Sequence, residues 1–325
     1  MRVLYGLEAV EPPFTQSVLT IGNFDGVHRA HQQLLAQAGL FAANTGGPVV
    51  VLTFDPHPLS IVAPARTPPR LSTLEQKLGY LARLGVDVTV VAKSERSLLD
   101  LEASTFVDRI IRQRFHPTHL VEGPSFGFGR GRQGTPDTLR RLTASFDCEV
   151  HIVEPVTLQV QEGKTLLVSS SLIRRLIGEG MVRRAALCLG RYYELIGKVV
   201  KGAGRGRKIG FPTANIAEPP QLVPADGVYA GRAFVSGESH PCAVSIGTAP
   251  TFAVGERTIE AHLLGFAGDV YGEEIHLEFA QRLRAQRTFS SPEALREQLK
   301  RDVAAVPRGL QMVEPVDSEG DAAGQ

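Results

Sequence analysis

The chain has 325 residues, of which 43% are hydrophobic, and its formal net charge is +1. This length is comfortable for two domains, and the composition is typical of a globular protein with a core in each. A charge so close to zero gives no indication of a polyanionic partner.

Neither export nor a membrane location is indicated. No apolar run is long enough to span a bilayer, and the first eight residues, Met1–Glu8, lack the long apolar region of a secretion signal. The three cysteines are Cys148, Cys188 and Cys242, and their odd number and wide spacing disfavour a disulfide framework and fit a reducing compartment. We therefore expect a cytoplasmic protein without a membrane partner.

The stretch from Leu19 to His31 is the first candidate site. An apolar run ends at Gly22, a turn-rich segment follows, and a helix is predicted to begin near Val27. A strand, turn and helix start in this order present free backbone N–H groups and the positive end of a helix dipole to an anion. His28 and His31 share one helical face because they are three residues apart, so both can reach a phosphate held there.

Two other interpretations of the histidine pair stay open. With nine histidines in the chain, a His-x-x-His spacing arises by chance in roughly one such sequence in four. A pair of metal ligands is the second, although no cysteine or acidic cluster lies at ligand spacing nearby. The strand-turn-helix context favours the phosphate interpretation.

Short apolar runs alternate with helical patterns in the first half of the chain. The runs are continuous and β-branched, as in strands buried on both faces, and therefore predict a parallel sheet with right-handed crossovers, a Rossmann-like α/β domain. Ligands of such sheets bind at the carboxyl ends of the strands. After the strand that contains Leu19, the predicted strands are 48–54, 87–92, 119–121 and 148–153, and the predicted helices are 28–44, 73–84, 102–115 and 136–146.

Two more loops leave strand ends in this half. Pro56 and Pro58 stiffen the loop that follows the run at 48–54. A glycine-rich loop with Ser125 follows the run at 119–121, and its glycines allow close backbone approach to a ligand beside the rings of Phe126 and Phe128. A plain surface turn is the alternative for both loops.

A basic segment begins where Ser169–Ser171 precede Arg174 at a predicted helix start. Serine there is most often an N-cap, and a second phosphate clamp with Arg174 as its charge is the alternative. From Arg174 to Lys208 there are ten Lys or Arg and two acids, which indicates a solvated face or a phosphate ligand. Because the only aromatics in it are Tyr192 and Tyr193, the stacking pattern of a single-strand binder is missing, and no nucleic-acid partner is expected.

Alternating, β-branched patterns with turns rich in Gly and Pro dominate after about Leu189. Closely spaced antiparallel strands of this kind predict a barrel. A helix from Pro292 to about Ala304 follows, and the tail from Pro307 has few large apolar residues, so we predict that it is disordered. The predicted strands are 194–200, 228–235, 241–246, 258–264 and 275–279, and the predicted domains are 1–188 and 189–306, followed by the tail, 307–325.

A glycine-rich basic loop runs from Lys201 to Asn215. It is not a Walker loop, because no Lys-Ser or Lys-Thr follows its glycines at the required spacing. A flexible loop with Gly204 and Gly210 can still cover phosphates, and Thr213 and Asn215 supply oxygen ligands suited to Mg²⁺.

Five motifs in order resemble those of one family, the bifunctional bacterial riboflavin kinase/FMN adenylyltransferases, also called FAD synthetases. The resemblance runs from about residue 18 to about residue 303. It implies an α/β Rossmann-like nucleotidyltransferase domain that adenylylates FMN to FAD, then a mostly antiparallel β-barrel riboflavin kinase domain with a C-terminal helix. The motifs are Thr-Ile-Gly-Asn-Phe-Asp-Gly-Val-His-Arg-Ala-His, Thr-Phe-Asp-Pro-His-Pro, Ser-Ser-Ser-Leu-Ile-Arg, Gly-Phe-Pro-Thr-Ala-Asn and Ile-Glu-Ala-His-Leu-Leu.

For the first domain the resemblance implies that the FMN phosphate attacks the α-phosphorus of ATP and pyrophosphate leaves. No covalent enzyme group is needed, so positioning and charge neutralisation carry the catalysis. His28 and His31 would bind ATP phosphates, whereas Ser170, Ser171 and Arg174 would hold the pyrophosphate side. The remaining implied ATP contacts are Gly22, Phe24 and Asp25, and the implied flavin contacts are Pro56, Pro58, Ser125, Phe126 and Phe128.

For the second domain the resemblance implies that the riboflavin 5′-hydroxyl loses a proton as it attacks the γ-phosphorus of ATP. Glu260 is the implied catalytic base. Thr213 and Asn215 would position Mg²⁺ and ATP, and Arg284 is a candidate for a contact with flavin or nucleotide. The implied ATP contacts here are Gly204, Gly210, Thr213 and Asn215.

The sequence departs from the usual family pattern at four positions. Ala30 replaces the glycine of His-x-Gly-His, Ser125 an Asp or Asn, Ser245 an Asn and Gly265 an Asp. The leading hypothesis is a bifunctional enzyme that uses riboflavin, FMN, two ATP molecules and Mg²⁺, as a monomer or weak homo-oligomer. The alternatives are a riboflavin kinase with a weakened or inactive adenylyltransferase domain, a flavin- or nucleotide-binding regulator without turnover, and a nucleotidyltransferase for another phosphate ester.

Overall fold

Contacts within the chain divide it into two units, Met1–Leu172 and Ile173–Gln325. The computed structural model describes residues 1–11, 13–160, 164–202, 204–217, 219–248 and 257–311. Within these ranges, no helix is both long and apolar enough to cross a membrane. The predicted domain boundaries stay a prediction, and most of the predicted disordered tail, from residue 312 on, lies outside the described residues.

A sheet of six strands forms the centre of the first unit, and every neighbouring pair in it is parallel. This arrangement confirms the predicted Rossmann-like α/β fold. The short first strand is the one that the sequence analysis did not predict, because only its two middle residues are partly buried. The strands are β1 (Arg2–Tyr5), β2 (Val18–Ile21), β3 (Val49–Asp55), β4 (Val88–Lys93), β5 (His119–Glu122) and β6 (Glu149–Ile152), in the spatial order β1-β4-β3-β2-β5-β6.

Helices cover both faces of this sheet. Successive residues of β3 enter different cores: Val50 and Leu52 pack with one group of side chains, and Val49 and Val51 with another. A strand buried on both faces explains why its sequence is continuously apolar. The helices are α1 (Arg29–Thr45), α2 (Leu59–Val62), α3 (Leu74–Arg83), α4 (Arg96–Leu99), α5 (Ala103–Phe106), which continues as a π-helix (Val107–Phe115), and α6 (Pro136–Thr143); an antiparallel hairpin of β7 (Thr157–Val160) and β8 (Lys164–Leu167) follows.

The strand order locates the ligand edge of the sheet. From β2 the chain crosses to β3 on one side, and β5 later pairs on the other side of β2. A change of crossover direction leaves a crevice outside the carboxyl ends of the two strands that flank it. The loops that follow β2, β3 and β5 therefore leave the same edge of the sheet.

A closed barrel of six strands forms the second unit, and all of its strand pairs are antiparallel. The predicted barrel is thereby confirmed. One strand of the barrel, β10, has no predicted counterpart, and it is only three residues long. The strands are β9 (Tyr193–Val200), β10 (Ala214–Ile216), β11 (Gly227–Val235), β12 (Glu238–Thr248), β13 (Arg257–Leu263) and β14 (Glu274–Arg284), in the order β10-β13-β12-β11-β14-β9 around the barrel, and the helices are α7 (Ser170–Gly178), α8 (Val182–Leu189), α9 (Arg205–Lys208) and α10 (Pro292–Gly309).

Helix α10 extends five residues beyond its predicted end at Ala304, so the prediction that disorder begins at Pro307 is wrong for Pro307–Gly309. Val306 is fully buried, and Gly309 lies so close to the barrel that a Cβ there would be 2.5 Å from Ala230 Cβ. The Tyr192 hydroxyl donates to Leu310 O at 2.8 Å just after the helix. These contacts hold the last turn helical although Pro307 lacks the N–H that an interior helical residue donates.

Candidate active sites

The turn after β2 opens at Gly22, whose N–H donates to Leu52 O at 3.0 Å. Phe24 adopts a left-handed conformation with φ 48°, and its ring is buried beneath the turn. A Cβ at Gly22 would lie 3.2 Å from that ring. The predicted ATP contacts Gly22 and Phe24 therefore define one tight turn at the carboxyl edge of the sheet.

Asp25 uses its carboxylate to hold a distant segment against this turn. The carboxylate accepts the Leu71 N–H at 3.0 and 3.1 Å, the Ser72 N–H at 3.1 Å and the Ser72 hydroxyl at 3.3 Å. The backbone carbonyl of Asp25 accepts the Ser170 hydroxyl at 3.0 Å, across 145 positions of sequence. Asp25 thus organises the turn, and its predicted contact with ATP stays a prediction.

His28 and His31 lie together at the start of α1. His28 is the N-cap residue of that helix, is 5% exposed, and its ring stacks on His31 with centroids 3.7 Å apart. The Phe24 ring lies 4.9 Å from the His31 ring. Burial chiefly, then the neighbouring His28 and Lys77, lower the pKa of His31 well below 6.5.

Within the described residues, His31 Nδ1 is buried without a hydrogen-bond partner. A neutral imidazole carries one N–H donor and one acceptor nitrogen, and a buried polar atom that lacks a partner costs free energy. His31 also lies in the first turn of α1, at the helix end whose dipole favours an anion. A phosphate there would interact with this helix end and with the imidazole together, as the sequence analysis expects.

Lys77 brings a cation to the same place, and the sequence analysis missed it. It projects from α3, is 7% exposed, and donates through Nζ to Thr53 Oγ1 at 3.3 Å and to Phe54 O at 3.4 Å. Burial lowers the pKa of Lys77 although the carboxylates of Asp25 and Asp55 raise it. A sequence signal existed, since Lys77 shares one helical face with the buried Tyr80 and Leu81.

The loop after β3 lies beside the turn. The Leu59 N–H donates to His57 Nδ1 at 3.1 Å, and Asn23 Nδ2 lies 3.3 Å from His57 Nε2. Ser94 donates its hydroxyl to Pro56 O at 2.6 Å, and Pro58 starts the short helix α2. The predicted flavin contacts Pro56 and Pro58 therefore lie on a loop that His57 links to the β2 turn.

The two phenylalanine rings of the loop after β5 lie in different environments. Phe128 is 5% exposed and packs on Phe106 at 5.9 Å, so its ring belongs to the core. Phe126 stacks on Phe128 at 5.4 Å and is half-buried, whereas Ser125 is exposed and its carbonyl accepts from Arg132 Nη2 at 2.9 Å. Of the predicted flavin contacts here, Ser125 and Phe126 are accessible to a ligand.

Glu122 ends β5 at the same edge and was not singled out from the sequence. It is 2% exposed, and its Oε1 accepts the Ile21 N–H of β2 at 2.7 Å. Burial raises the pKa of Glu122 well above 4.5, and the hydrogen bond from Ile21 opposes this only in part.

The remaining predicted residues of this site lie on α7. Ser170 contacts the turn through Asp25, and Ser171 is exposed in the first helical turn. Arg174 follows one turn later and belongs to the second unit. The pyrophosphate contacts of Ser171 and Arg174 stay predictions.

A row of polar side chains crosses three strands on the outside of the barrel. In the register of the sheet, Glu260 on β13 lies between Asn215 on β10 and Ser245 on β12, and all three side chains are half-buried. Their neighbours Ile259 and Ala261 face the barrel core. The alternation of a strand therefore places the carboxylate, the amide and the hydroxyl on one face.

Thr213 and the glycine loop complete this row. The Thr213 hydroxyl donates to Glu260 Oε2 at 3.3 Å. A side chain at Gly202 would collide with the Asn215 amide, so the loop passes directly over it. Gly204 and Gly210 have φ values of 65° and 87°, a left-handed region that glycine adopts readily.

The donor set of this row fits Mg²⁺. The hydroxyl of Thr213 and the amide of Asn215, the two predicted ligands, supply hard oxygen atoms of the kind that Mg²⁺ prefers, and no nitrogen or sulfur ligand is needed. Gln286 donates to Ser245 Oγ at 2.9 Å, so Ser245 is held within the row. Gly265 has φ 72° in the turn after β13, which accounts for a glycine at a position where the family usually has Asp.

Arg284 makes a different contact from the one predicted. Its guanidinium donates to Asp302 of α10 from Nε at 3.0 Å and from Nη2 at 2.7 Å, and the two side chains are 16% and 4% exposed. This bidentate pair fixes α10 to the end of β14. A contact of Arg284 with flavin stays a prediction.

Comparisons with known proteins agree across both units. Residues 11–170 match the family model described as FAD synthetase, and residues 189–310 match the one described as riboflavin kinase. The chain is 35% identical over 304 residues to an Escherichia coli K12 protein named bifunctional riboflavin kinase/FMN adenylyltransferase, covering 93% of this chain and 96% of that one. A Bacillus subtilis protein of the same name is 36% identical over 293 residues, covering 88% of this chain and 90% of its own.

A solved structure resembles the chain over nearly its whole length. It is described as a macrolide-efflux protein from Streptococcus pneumoniae, with a TM-score of 0.82 and 30% identity, covering 94% of this chain and 99% of that one. The family resemblance that the motifs indicate is confirmed by the family models and the named relatives.

Proposed function

The chain belongs to the family of bifunctional riboflavin kinase/FMN adenylyltransferases, and from this premise we propose that it phosphorylates riboflavin to FMN and adenylylates FMN to FAD. One observation carries the proposal: each of the two segments matched by a family model contains a cluster of polar side chains whose chemistry suits its own reaction. The first site offers buried phosphate donors, and the second offers a carboxylate beside oxygen ligands.

In the first reaction the FMN phosphate attacks the α-phosphorus of ATP, and pyrophosphate leaves. The helix start at His28, the neutral His31 ring and the Lys77 ammonium all supply N–H donors where negative charge accumulates. Their burial strengthens each of these interactions. The protein thus contributes orientation and charge neutralisation, and Ser170, Ser171 and Arg174 are proposed for the leaving pyrophosphate.

In the second reaction the riboflavin 5′-hydroxyl attacks the γ-phosphorus of ATP and loses its proton to Glu260, and ADP leaves. Thr213 donates to this carboxylate, which fixes its orientation next to Asn215. Thr213 and Asn215 would hold Mg²⁺, which when bound neutralises phosphate charge. The glycine loop that passes over Asn215 is proposed to cover the phosphates.

The test is a time course with purified full-length chain, riboflavin, ATP and Mg²⁺, followed by chromatographic separation of riboflavin, FMN and FAD. We expect FMN to appear first and FAD to follow. FMN that accumulates without FAD identifies a kinase with an inactive adenylyltransferase domain. Flavin binding without ADP or pyrophosphate release identifies a regulator without turnover.

A second assay isolates the first unit's reaction. Purified chain receives FMN and ATP, and pyrophosphate release is measured directly. Other phosphate esters supplied in place of FMN should give no pyrophosphate. A cytoplasmic location, the absence of a nucleic-acid partner and a monomeric or weakly associated state belong to the same proposal, and sedimentation of the purified chain tests the last of these.

A further inference from the structure

Two histidines and a glutamate meet on β5 and β6, where His119 and Glu149 begin their strands and His151 lies two residues further along β6. His119 Nδ1 lies 3.0 Å from His151 Nε2, and Glu149 Oε2 lies 4.0 Å from the first nitrogen and 3.7 Å from the second. The two strands are parallel, with His119 beside Glu149 and Val121 beside His151. The sheet itself therefore places all three side chains on one face.

Within the ranges that the structure describes, these three residues form the one set of three His, Cys, Asp or Glu residues whose ligand atoms all lie within 4.8 Å of one another. Ligand atoms bound to one tetrahedral ion at about 2.0–2.1 Å stand roughly 3.3 Å apart. The three observed separations bracket this value, so small side-chain rotations suffice to bind an ion.

The surroundings fix the two rings and leave the carboxylate open. The Phe41 ring stacks on His151 at 3.9 Å and on His119 at 5.2 Å. The side chains of His119 and His151 are 17% and 25% exposed, whereas that of Glu149 is 74% exposed. An ion held by the two rings would thus have water on its open side.

Hydrogen bonds among these three side chains involve the two imidazoles but not the carboxylate. One N–H between the two imidazoles satisfies the 3.0 Å contact, but the carboxylate lies beyond hydrogen-bond distance of both nitrogens.

We propose that His119, Glu149 and His151 bind a divalent transition-metal ion of the zinc class, with water as the fourth ligand. Two imidazoles and one carboxylate are a typical ligand set for Zn²⁺ and are unsuited to Mg²⁺, which prefers oxygen. The site lies on one face of β5 and β6, whereas the phosphate site follows the carboxyl ends of the strands. A metal here links β5 to β6 and stabilises the sheet without entering either reaction.

The experiment uses full-length chain stripped of metal with a chelator. Co²⁺ replaces Zn²⁺ as a spectroscopic probe, and calorimetry measures Zn²⁺ binding. We expect one equivalent of Co²⁺ to produce the visible absorption of a tetrahedral site, and Zn²⁺ to displace it. At a free Zn²⁺ concentration 100 times the Kd, the Tm of the first unit should rise on the order of 5 °C.

Substitutions locate the site. His119→Gln, His151→Gln and the double variant should abolish the Co²⁺ absorption and the Zn²⁺-induced rise in Tm. Glu149→Gln should weaken binding while leaving the fold intact, because this side chain is exposed. The matched control is His116→Asn, an exposed histidine three residues from His119 whose left-handed backbone Asn tolerates.

Two results would overturn the proposal. One is a wild-type chain that gives no saturable Co²⁺ absorption. The other is a double variant that binds Zn²⁺ as tightly as the wild type, which places the metal elsewhere. Formation of FMN and FAD by each variant verifies that it is folded, since none of the substituted residues belongs to the proposed catalytic sites.

Discussion

The two candidate sites differ in where their polar groups lie relative to the strands. In the first unit they follow the carboxyl ends of parallel strands and come from separate loops and helices: the β2 turn, the loop after β3, α3 and the start of α7. In the barrel they lie along the outer face of three adjacent strands in register. The first site is assembled by tertiary packing, the second by strand pairing.

The two sites also differ in how deeply their charged groups are buried. His28 and Lys77 are at most 7% exposed, and burial lowers the pKa of both His31 and Lys77. The barrel row is half-buried at the surface. Substitution of a charged residue at one site should therefore change the reaction of that site only, because each site has its own charged groups.

The largest effect is expected from Glu260→Gln. Loss of the base should lower riboflavin phosphorylation by about 10²–10⁴-fold, the usual contribution of general-base catalysis. Adenylylation of supplied FMN should be unchanged, because the first unit has its own groups. Thr258→Ser, on the same face of β13, is the control. A Glu260→Gln variant that phosphorylates riboflavin at wild-type rate would exclude this residue as the base.

Lys77→Met should have the next largest effect. Unlike Glu260→Gln, it should impair the reaction of the first site and spare that of the barrel. Removal of a preorganised donor to developing charge typically costs about 10²–10³-fold, so FAD formation from FMN should fall by that factor. Phosphorylation of riboflavin should persist. The control is Lys93→Met, whose side chain is 78% exposed on β4. Equal losses in both reactions would indicate a folding defect instead of a role at the first site.

The ion pair of Arg284 and Asp302 allows a test of Arg284, which was predicted to contact flavin. The question is whether Arg284 stabilises the barrel instead. Asp302→Ala leaves a buried guanidinium without its carboxylate, which should lower the free energy of unfolding of the barrel by about 3–5 kcal/mol. Calorimetry of the full-length chain measures this. Lys300→Ala is the control, since its pair with Glu297 is exposed. A raised KM for riboflavin at unchanged stability would favour the flavin contact.

The smallest effect is a pH dependence at Glu122. Its folded-state pKa is raised above 4.5, so between pH 4.5 and that higher value the folded chain keeps a proton that the unfolded chain releases. Stability of the first unit therefore falls as the pH rises through this window. Glu122→Gln keeps an oxygen acceptor for the Ile21 N–H and removes the titration. The variant should match the wild type at pH 4 and exceed it at pH 7 in thermal unfolding; a difference independent of pH would contradict this assignment.

Local patterns were sufficient for much of the fold. Continuous β-branched runs predicted the parallel sheet, alternating ones predicted the barrel, and the Gly22–His31 stretch predicted a turn and helix start. What the patterns missed depends on contacts between distant residues. The role of the Asp25 carboxylate needs Leu71 and Ser72, and the cluster at His119 needs β5 and β6 to be neighbours.

Short elements were missed for a related reason. β1 and β10 are four and three residues long, so neither shows a period, and each owes its structure to the strands beside it. Arg284 was expected near flavin, but no local signal indicates that Asp302, eighteen positions later, lies opposite its guanidinium. The sequence shows the chemical type of each residue, but it does not show which distant residue will contact it.

Closure of the barrel restricts how the chain can change in length during evolution. Each strand is hydrogen-bonded on both sides, so an insertion or deletion of one residue within β13 shifts its pairing with β10 and β12 together. Such a shift exchanges the two faces of the strand, bringing Glu260 into the core and Ile259 to the surface. Length variation among relatives should therefore be confined to the turns between strands, where it leaves the carboxylate in place.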